Sequence, residues 1–416
     1  MGSRFETIGM IGMGYIGLPT ATVLASYGLR VVGVDIDQTV VDTINRGQIH
    51  IVEPDLEGLV QKVVGSGLLT AKTSPEPSHA FVIAVPTPFQ SDRKPDLTYV
   101  EAAAKSIAPV LSPGNLVILE STSPVGTTEK LCEWLARSRP DLSFPPQAGE
   151  DAQVQVAYCP ERVLPGHVLR ELVENDRVIG GMTRRAAELA ADLYRIFVRG
   201  ECFLTDCRTA EMVKLTENAF RDVNIAFANE LSLVCDHLRI DVWELIRLAN
   251  RHPRVNILQP GPGVGGHCIA VDPWFIVDSA PEQARLIRTA REVNDHKPHH
   301  VVEQIKNLAD KMSQPVIACL GLSFKANIND LRESPALEIV RMLGESRIGR
   351  VLAVEPHISA CPPSLQGDVE LTSIDSALAA ADIVVILVDH AQFKGIDWTR
   401  YHDKKFVDTR GMIRSR

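Results

Sequence analysis

The stretch "TIGMIGMGYIGLP", residues 7–19, decides the fold. A short apolar run reads as a strand, and "LPTATVLAS" behind it has the spacing of a helix. Between them Gly12, Gly14 and Gly17 form G-x-G-x-x-G. Glycines so placed permit a tight turn and bring backbone close to a pyrophosphate, which rests on the helix N-terminus. Eighteen residues past Gly17, Asp35 ends the next strand pattern, "LRVVGVDID" (29–37), where a carboxylate holds a ribose 2′-hydroxyl. No arginine follows in "DIDQ", so the 2′-phosphate of NADP lacks an obvious partner. NAD is the expected cofactor. Tyr15 and Ile16, inside the turn, join Gly12, Gly14, Gly17 and Asp35 as cofactor-binding candidates.

Outward from that turn, strand patterns recur at 80–88, 116–122, 154–161 and 176–181, with helical stretches between them. Such alternation builds a parallel sheet with helices on both faces. Between about 206 and 255 the strand signals stop. "TAEMVKLTENAFRDVNIAFANELSLVCDHL" carries apolar residues at helical spacing without glycine or proline, which predicts a helix over about 206–237. Strand patterns resume at 314–324, 350–356, 381–390 and 405–411. The first two repeat the opening theme of strand, glycine turn and acid-ended strand, with Glu355 in the place of Asp35 and "GLSFKANIND" in the place of the three-glycine turn. The expected fold is therefore α/β. Two Rossmann-like domains with parallel sheets (1–205 and 309–416) are joined by a central helical domain (206–308) containing the long helix.

Composition narrows the function. With 416 residues, 45% hydrophobic and 23% charged, the chain reads as globular and long enough for two or three domains. A net charge of −9 speaks against nucleic acid or an anionic membrane as the main partner. The longest wholly apolar runs, such as "IVVILV" (383–388), suit a buried strand and not a membrane span. The strand pattern begins almost at the first residue, without a signal-peptide layout, so a cytoplasmic location is expected. Eight cysteines without C-x-x-C pairs argue against a disulfide framework, and the twelve histidines show no metal-ligand spacing, so no metal is expected.

Chemistry concentrates in four places. In "GPGVGGHCIAVDP" (261–273), Cys268 follows four glycines, where backbone amides can approach a ligand and lower a thiol pKa. Cys319, in "VIACLG", sits instead in the apolar setting of a structural thiol. Residue type alone leaves Cys268 open between nucleophile and structural group, and Asp272 open between orienting a water or lysine and capping a helix. On the long helix, Glu211, Lys214, Asn218 and Arg221 recur at spacings of three and four. That stripe is either a solvated face or a site wall in which a lysine acts as base or oxyanion partner. Glu161, in "YCPERVLPG", is a general base for a water or a charge at a strand end. Thr87 in "VPTP" and Thr122 in "ESTSPVG" lie past strand ends, where they line the nicotinamide side or cap local backbone.

These segments, in this order, resemble the UDP-glucose/GDP-mannose dehydrogenase family over essentially the whole chain. The matching motifs are "GMGYIGLP", "VDI", "VPTP", "ESTSPVGTTE", "YCPERVLPG", "AEMVKLTENAFRDVNIAFANEL", "GPGVGGHCIAVDP" and "GLSFKANINDLRESP". "NRGQIHIVEPDL" and "RLANRHPRVNILQPGPGVGGHCIAVDPWFI" look in particular like the branch that acts on UDP-N-acetyl-D-mannosamine. The resemblance implies oxidation of a sugar C6 from alcohol to carboxylate with two NAD+. Cys268 would carry a thiohemiacetal and then a thioester. It assigns Lys214 and Asn218 to oxyanion or water, Asp272 to assisting Lys214, Glu161 to thioester hydrolysis and Thr122 to positioning water. Lys325 then contacts substrate, Arg332 lies near the NAD pyrophosphate, and Arg254 is donated to a partner subunit. Arg162, Arg221, Gly263, Gly265 and His267 complete the substrate-binding candidates.

Many relatives have proline where this chain has Ala270, so the loop after the thiol is less restricted here and the alanine is read as a specificity mark. The resemblance further implies a homodimer formed through the central helices. UDP-N-acetylglucosamine and UDP-glucose stand as alternative substrates. A two-electron hydroxyacid dehydrogenase would leave Cys268 and the third domain unexplained. A non-catalytic NAD-binding module would bind cofactor without turnover.

Overall fold

The computed structural model describes residues 5–89, 93–164, 166–266 and 268–413. Eight strands form the first sheet. They are β1 (Thr7–Ile11), β2 (Arg30–Val34), β3 (Leu69–Lys72), β4 (Ala80–Ile83), β5 (Leu116–Leu119), β6 (Gln155–Tyr158), β7 (Arg177–Gly181) and β8 (Cys202–Asp206). Their order is β3-β2-β1-β4-β5-β6-β7-β8, with Met10 opposite both Gly33 and Val82. The second sheet holds β9 (Val316–Leu320), β10 (Arg350–Val354), β11 (Val369–Leu371), β12 (Ile383–Ile386) and β13 (Lys405–Asp408) in the order β11-β10-β9-β12-β13. In each sheet the chain reverses its direction of winding beside the first strand, at β1/β4 and β9/β12. Loops at the carboxyl ends of those strands are where such sheets hold ligands.

The apolar runs are unbroken because both faces of each sheet are covered. In β5, Leu116 and Ile118 pack into one core while Val117 and Leu119 pack into another. Three strands gave no sequence signal. β3 is only four residues long and β11 three, and β8, "CFLTD", is mostly exposed and has no apolar run to read.

One expectation fails in part. All neighbours in the second sheet are parallel, but in the first β7 runs antiparallel to β6. The connection after β6 contains only the seven-residue helix Val168–Glu174, and β7 runs back from the end of the sheet at which β6 finished. The helix Arg184–Tyr194 then crosses over, so β8 lies parallel to β7.

The long helix spans Cys207–Leu238, close to the expected 206–237. The chain divides into two compact units, residues 1–217 with 274–280, and residues 218–273 with 281–416. No helix among the described residues is long and apolar enough to cross a membrane.

Candidate active site

The three glycines after β1 have three different reasons to be glycine. Gly12 has φ +91°, and a Cβ there would lie 2.6 Å from the Ala84 carbonyl oxygen. At Gly17 a Cβ would fall 1.8 Å from the Gly12 carbonyl oxygen, so only glycine lets the helix start against the strand. Around Gly14 nothing lies within 4 Å, which leaves backbone open to a ligand. The helix Gly17–Ser26 begins with no side-chain cap and no acid in its first turn. Leu18 N (3.1 Å) and Thr20 N (3.0 Å) donate to the Gly14 and Ile16 carbonyls and Pro19 has no amide, so what this end offers an anion is the positive pole of the helix dipole beside the open backbone of Gly14. Asp35 stands beside the turn, with Oδ2 accepting from Met13 N (3.0 Å) and Oδ1 from Asp37 N (3.0 Å). These residues fit a dinucleotide: open backbone at Gly14 and a helix N-terminus for the pyrophosphate, and a fixed carboxylate for the ribose. Tyr15 is exposed and Ile16 half-buried. Ile36, next to Asp35, is 91% exposed and offers an apolar face that the sequence did not single out.

Past β4 and β5, Thr87 and Thr122 are brought together. The Thr87 hydroxyl donates to the Thr122 carbonyl (2.5 Å), and the neighbouring Ser121 hydroxyl donates to the Val85 carbonyl (2.7 Å). The two loops are tied edge to edge.

On the long helix the polar stripe splits. Glu211 is buried, and neither proposed reading describes it. Its carboxylate accepts from Gly126 N (2.6 Å), Thr128 N (2.8 Å) and the Thr128 hydroxyl (2.6 Å), capping the start of the helix Thr127–Ser138. Burial raises its pKa despite those donors. Lys214 and Asn218, one turn apart, are half-buried, and Arg221 is exposed.

Cys268 is half-buried at a turn. Its carbonyl accepts from Val271 N (3.0 Å) and Asp272 N (2.8 Å), so the thiol precedes by one turn the helix Asp272–Ser279. Asp272 is buried, and its Oδ2 accepts from the Asn218 side chain (2.5 Å). Cys268, Asn218 and Asp272 all belong to the second compact unit. Four other cysteines are poor nucleophiles: burial pushes Cys159 and Cys319 up to about 12, and Cys132 and Cys207 higher still.

The glycines before Cys268 looked like an open backbone. In the structure they let the chain pack against itself. A Cβ on Gly263 would meet Pro335 at 2.8 Å, and one on Gly265 would meet the Glu333 carbonyl oxygen at 2.3 Å. Gly266, with φ +85°, lies against the Phe324 ring. The head of the loop is held by Asn229, whose Oδ1 accepts from Gly261 N (2.9 Å) and whose Nδ2 donates to Asn294 (2.8 Å). Asn294 in turn donates to Asp222 (2.8 Å), which also accepts from Arg291 (2.6 Å). Asn229 gave no sequence signal, because it lies inside an apolar helical run.

Glu161 is buried at the end of β6. Its Oε2 accepts from Arg177 Nη1 (2.9 Å) and its Oε1 from Arg162 N (2.5 Å). Arg162 forms a fork with Glu217, at 3.1 and 2.6 Å. Glu53, in the stretch "IVEPDL", accepts from Gly166 N (2.9 Å) and Val168 N (2.8 Å), anchoring the loop behind Glu161. Arg254 and Lys325 are exposed. Arg332 is bound to Asp330 through Nε (3.0 Å) and Nη2 (2.6 Å). His267 lies outside the described residues.

A sheet whose first turn leaves its backbone open at Gly14 beside a fixed acid is that of an NAD-dependent oxidoreductase. Residues 6–198, 208–296 and 318–415 match, in turn, the NAD-binding, central and UDP-binding domains of the UDP-glucose/GDP-mannose dehydrogenase family. The chain belongs to that family. It is 67% identical over 408 residues to an NDP-N-acetyl-D-galactosaminuronic acid dehydrogenase of Ralstonia nicotianae, covering 98% of this chain and 96% of that one. It is 62% identical over 418 residues to the UDP-N-acetyl-D-mannosamine dehydrogenase of Escherichia coli, covering 99% and 100%. Among solved structures, the UDP-N-acetyl-mannosamine dehydrogenase of Staphylococcus aureus superposes with a TM-score of 0.86 at 42% identity, covering 99% of this chain and 96% of that one.

Proposed function

We propose that the chain oxidises UDP-N-acetyl-D-mannosamine at C6 to the uronate, as a cytoplasmic homodimer serving polysaccharide synthesis. The observation that carries a four-electron reading is Cys268, a half-buried thiol one turn ahead of an aspartate that accepts from Asn218. The named relatives support an N-acetylhexosamine linked to a nucleoside diphosphate. A second reading, UDP-N-acetyl-D-galactosamine, is favoured by the 67% relative.

When bound, NAD+ takes one hydride in each oxidation, so one alcohol and one water yield a carboxylate, two NADH and three protons. The Cys268 sulfur adds to the C6 aldehyde, and the resulting thiohemiacetal has a C–H that a simple hydrate would hold less firmly in place. Lys214 steadies the oxyanion, while Asn218, oriented by Asp272, donates to it. Glu161 takes a proton from the water that attacks the thioester carbon as the C–S bond breaks and the thiol is regenerated. Gly12, Gly14, Gly17 and Asp35 hold the cofactor, with Thr87 and Thr122 toward its nicotinamide and Arg332 toward its pyrophosphate. Arg162, Arg221, Arg254, Gly263, Gly265 and Lys325 contact the nucleotide sugar.

The homodimer rests on the long helix. Phe220 (70% exposed), Phe227 and Val234 repeat every seven residues and leave one apolar stripe uncovered. An exposed aromatic stripe of this kind is what a second copy would bury.

The test is stoichiometric: limiting UDP-N-acetyl-D-mannosamine, excess NAD+, and NADH counted per sugar. Two NADH are expected, and Cys268→Ser should make no carboxylate. One NADH would end the four-electron reading. None here, with two on UDP-N-acetyl-D-galactosamine, would move the substrate to the second reading.

A further inference from the structure

The ends of β5 and β6 and the start of β7 bring two carboxylates to one guanidinium. Arg177 is 2% exposed, Glu120 1% and Glu161 7%. Arg177 Nη1 lies 2.9 Å from Glu161 Oε2 and 3.8 Å from Glu120 Oε1. Its Nη2 donates to the Leu172 carbonyl (3.3 Å), and its guanidinium lies 5.1 Å over the Tyr194 ring. The Tyr194 hydroxyl donates to Glu120 Oε1 (3.1 Å), and Glu120 Oε2 has no hydrogen-bond partner among the described residues.

Two carboxylates and one cation leave a surplus negative charge in a buried pocket, and one retained proton removes it. The hydrogen bonds say where the proton sits. Glu161 accepts from Arg177 and from the Arg162 amide, whereas Glu120 accepts only from a neutral phenol. Burial first, and then the charge on Glu161, push Glu120 up to about 8. The other groups facing it stay neutral: burial pushes the Cys159 thiol up to about 12 and the Tyr194 phenol well above its ordinary value. Desolvation works against the Arg177 cation, and the charge on Glu161 is the foremost influence keeping it charged.

We propose that Arg177 and Glu120 are positioning residues for Glu161. With Glu120 protonated, the guanidinium belongs to Glu161 alone and fixes its carboxylate toward the hydrolytic water. With Glu120 ionised, the guanidinium is shared and Glu161 loses its fixed orientation. The effect falls on thioester hydrolysis and leaves the earlier attack by Cys268 untouched. The proposal rests on Glu161 as the base of that step.

Single-turnover mixing with NAD+ and whichever nucleotide sugar gives two NADH, followed by intact-mass detection of the acyl group on Cys268, separates the two claims. Hydrolysis in the unsubstituted enzyme should fall about tenfold between pH 7 and pH 9, as Glu120 passes from mostly protonated to mostly ionised through its value of about 8. Glu120→Gln cannot ionise, so its profile should be flat across that range. Arg177→Gln should slow hydrolysis by about ten- to a hundredfold, as a misplaced base does, with acylation unchanged and partial recovery in Arg177→Lys. Should Arg177→Gln not fold, the Glu120→Gln profile decides alone. Acyl-enzyme that accumulates in Glu161→Gln, together with an alkaline fall that persists in Glu120→Gln, would overturn the positioning role and keep the base. No accumulation in Glu161→Gln would remove the base, and the positioning role with it.

Discussion

The turn after β1 and the loop after β9 begin alike and end opposite. Gly12 and Gly321 both have positive φ, +91° and +96°. A Cβ at either would collide with the neighbouring strand's exit, 2.6 Å from Ala84 O or 2.4 Å from Val388 Cβ. Two residues on, the first has Gly14 in open space, and the second has Ser323, buried and donating to the Lys325 carbonyl (2.8 Å). The first runs straight into an uncapped helix. The second delays its helix until Pro335–Ser346, whose amide at Leu337 is capped by Ser334.

The acids differ in the same sense. Asp35 takes one turn amide, at Met13. Glu355, one methylene longer, takes two, Leu322 N (2.7 Å) and Ser323 N (3.0 Å), and His390 as well (3.1 Å). The Asn327 amide donates to His390 Nδ1 (2.9 Å), so Nε2 carries the hydrogen and faces Glu355. Although Glu355, His357 and His390 bring ligand atoms within 4.8 Å of one another, that tautomer leaves Nε2 without a lone pair for a metal. One turn leaves space for a phosphate beside Gly14; the other fills that place with Ser323 and the Glu355 carboxylate.

Breaking the first turn should have the largest effect. Gly17→Ala puts a methyl on the Gly12 carbonyl, which should cost about 3 kcal/mol by urea unfolding and abolish NADH fluorescence titration. Opening the second loop comes next. Glu355→Gln weakens the acceptor of two amides and should cost about 2 kcal/mol. Burial alone would raise Glu355, but the His390 side chain and the two amides hold it below its ordinary 4.5. Its contribution is therefore present above pH 4.5 and lost as pH falls through the lower folded value. Thermal midpoints should show that acid loss in the unsubstituted protein and not in Glu355→Gln.

Gly14→Ala is milder, because no atom lies within 4 Å. Stability should hold while the NAD Kd rises about tenfold, read by calorimetry. At neutral pH the smallest effect on stability should come from Glu120→Gln, which replaces a protonated carboxyl by a neutral amide of the same shape. With its folded pKa raised from 4.5 to about 8, Glu120 binds a proton that the unfolded chain has lost, so stability declines as pH climbs through that window and levels above it. Glu120→Gln should flatten that decline. Glu355 thus acts below pH 4.5 and Glu120 between 4.5 and about 8, with slopes of opposite sign, and like slopes in both would contradict the charge assignments.

The local patterns were legible wherever one element answered for them. Three glycines at fixed spacing, an acid eighteen residues on and a long run free of glycine and proline placed the cofactor turn and the helix of 207–238 within one residue of either end. Short or exposed strands such as β3 and β8 were not, since neither carries a run of apolar residues long enough to show a period. Glu211 was read as one member of a helical stripe, yet it caps a helix some eighty positions away in sequence.

What the sequence determined by itself was most of the elements and the chemical types: two α/β sheets, an NAD turn, a thiol after glycines, and a helix bearing lysine and asparagine. Those follow from periodicity and backbone freedom, which are local properties. What only the tertiary structure decided was which charges share one environment. The glycines before Cys268 serve packing against Phe324, Glu333 and Pro335, Glu355 fills the loop that a phosphate would otherwise take, and Glu120 and Glu161 divide one arginine. Burial and hydrogen bonding set each of these, and both depend on residues brought together only when the chain folds.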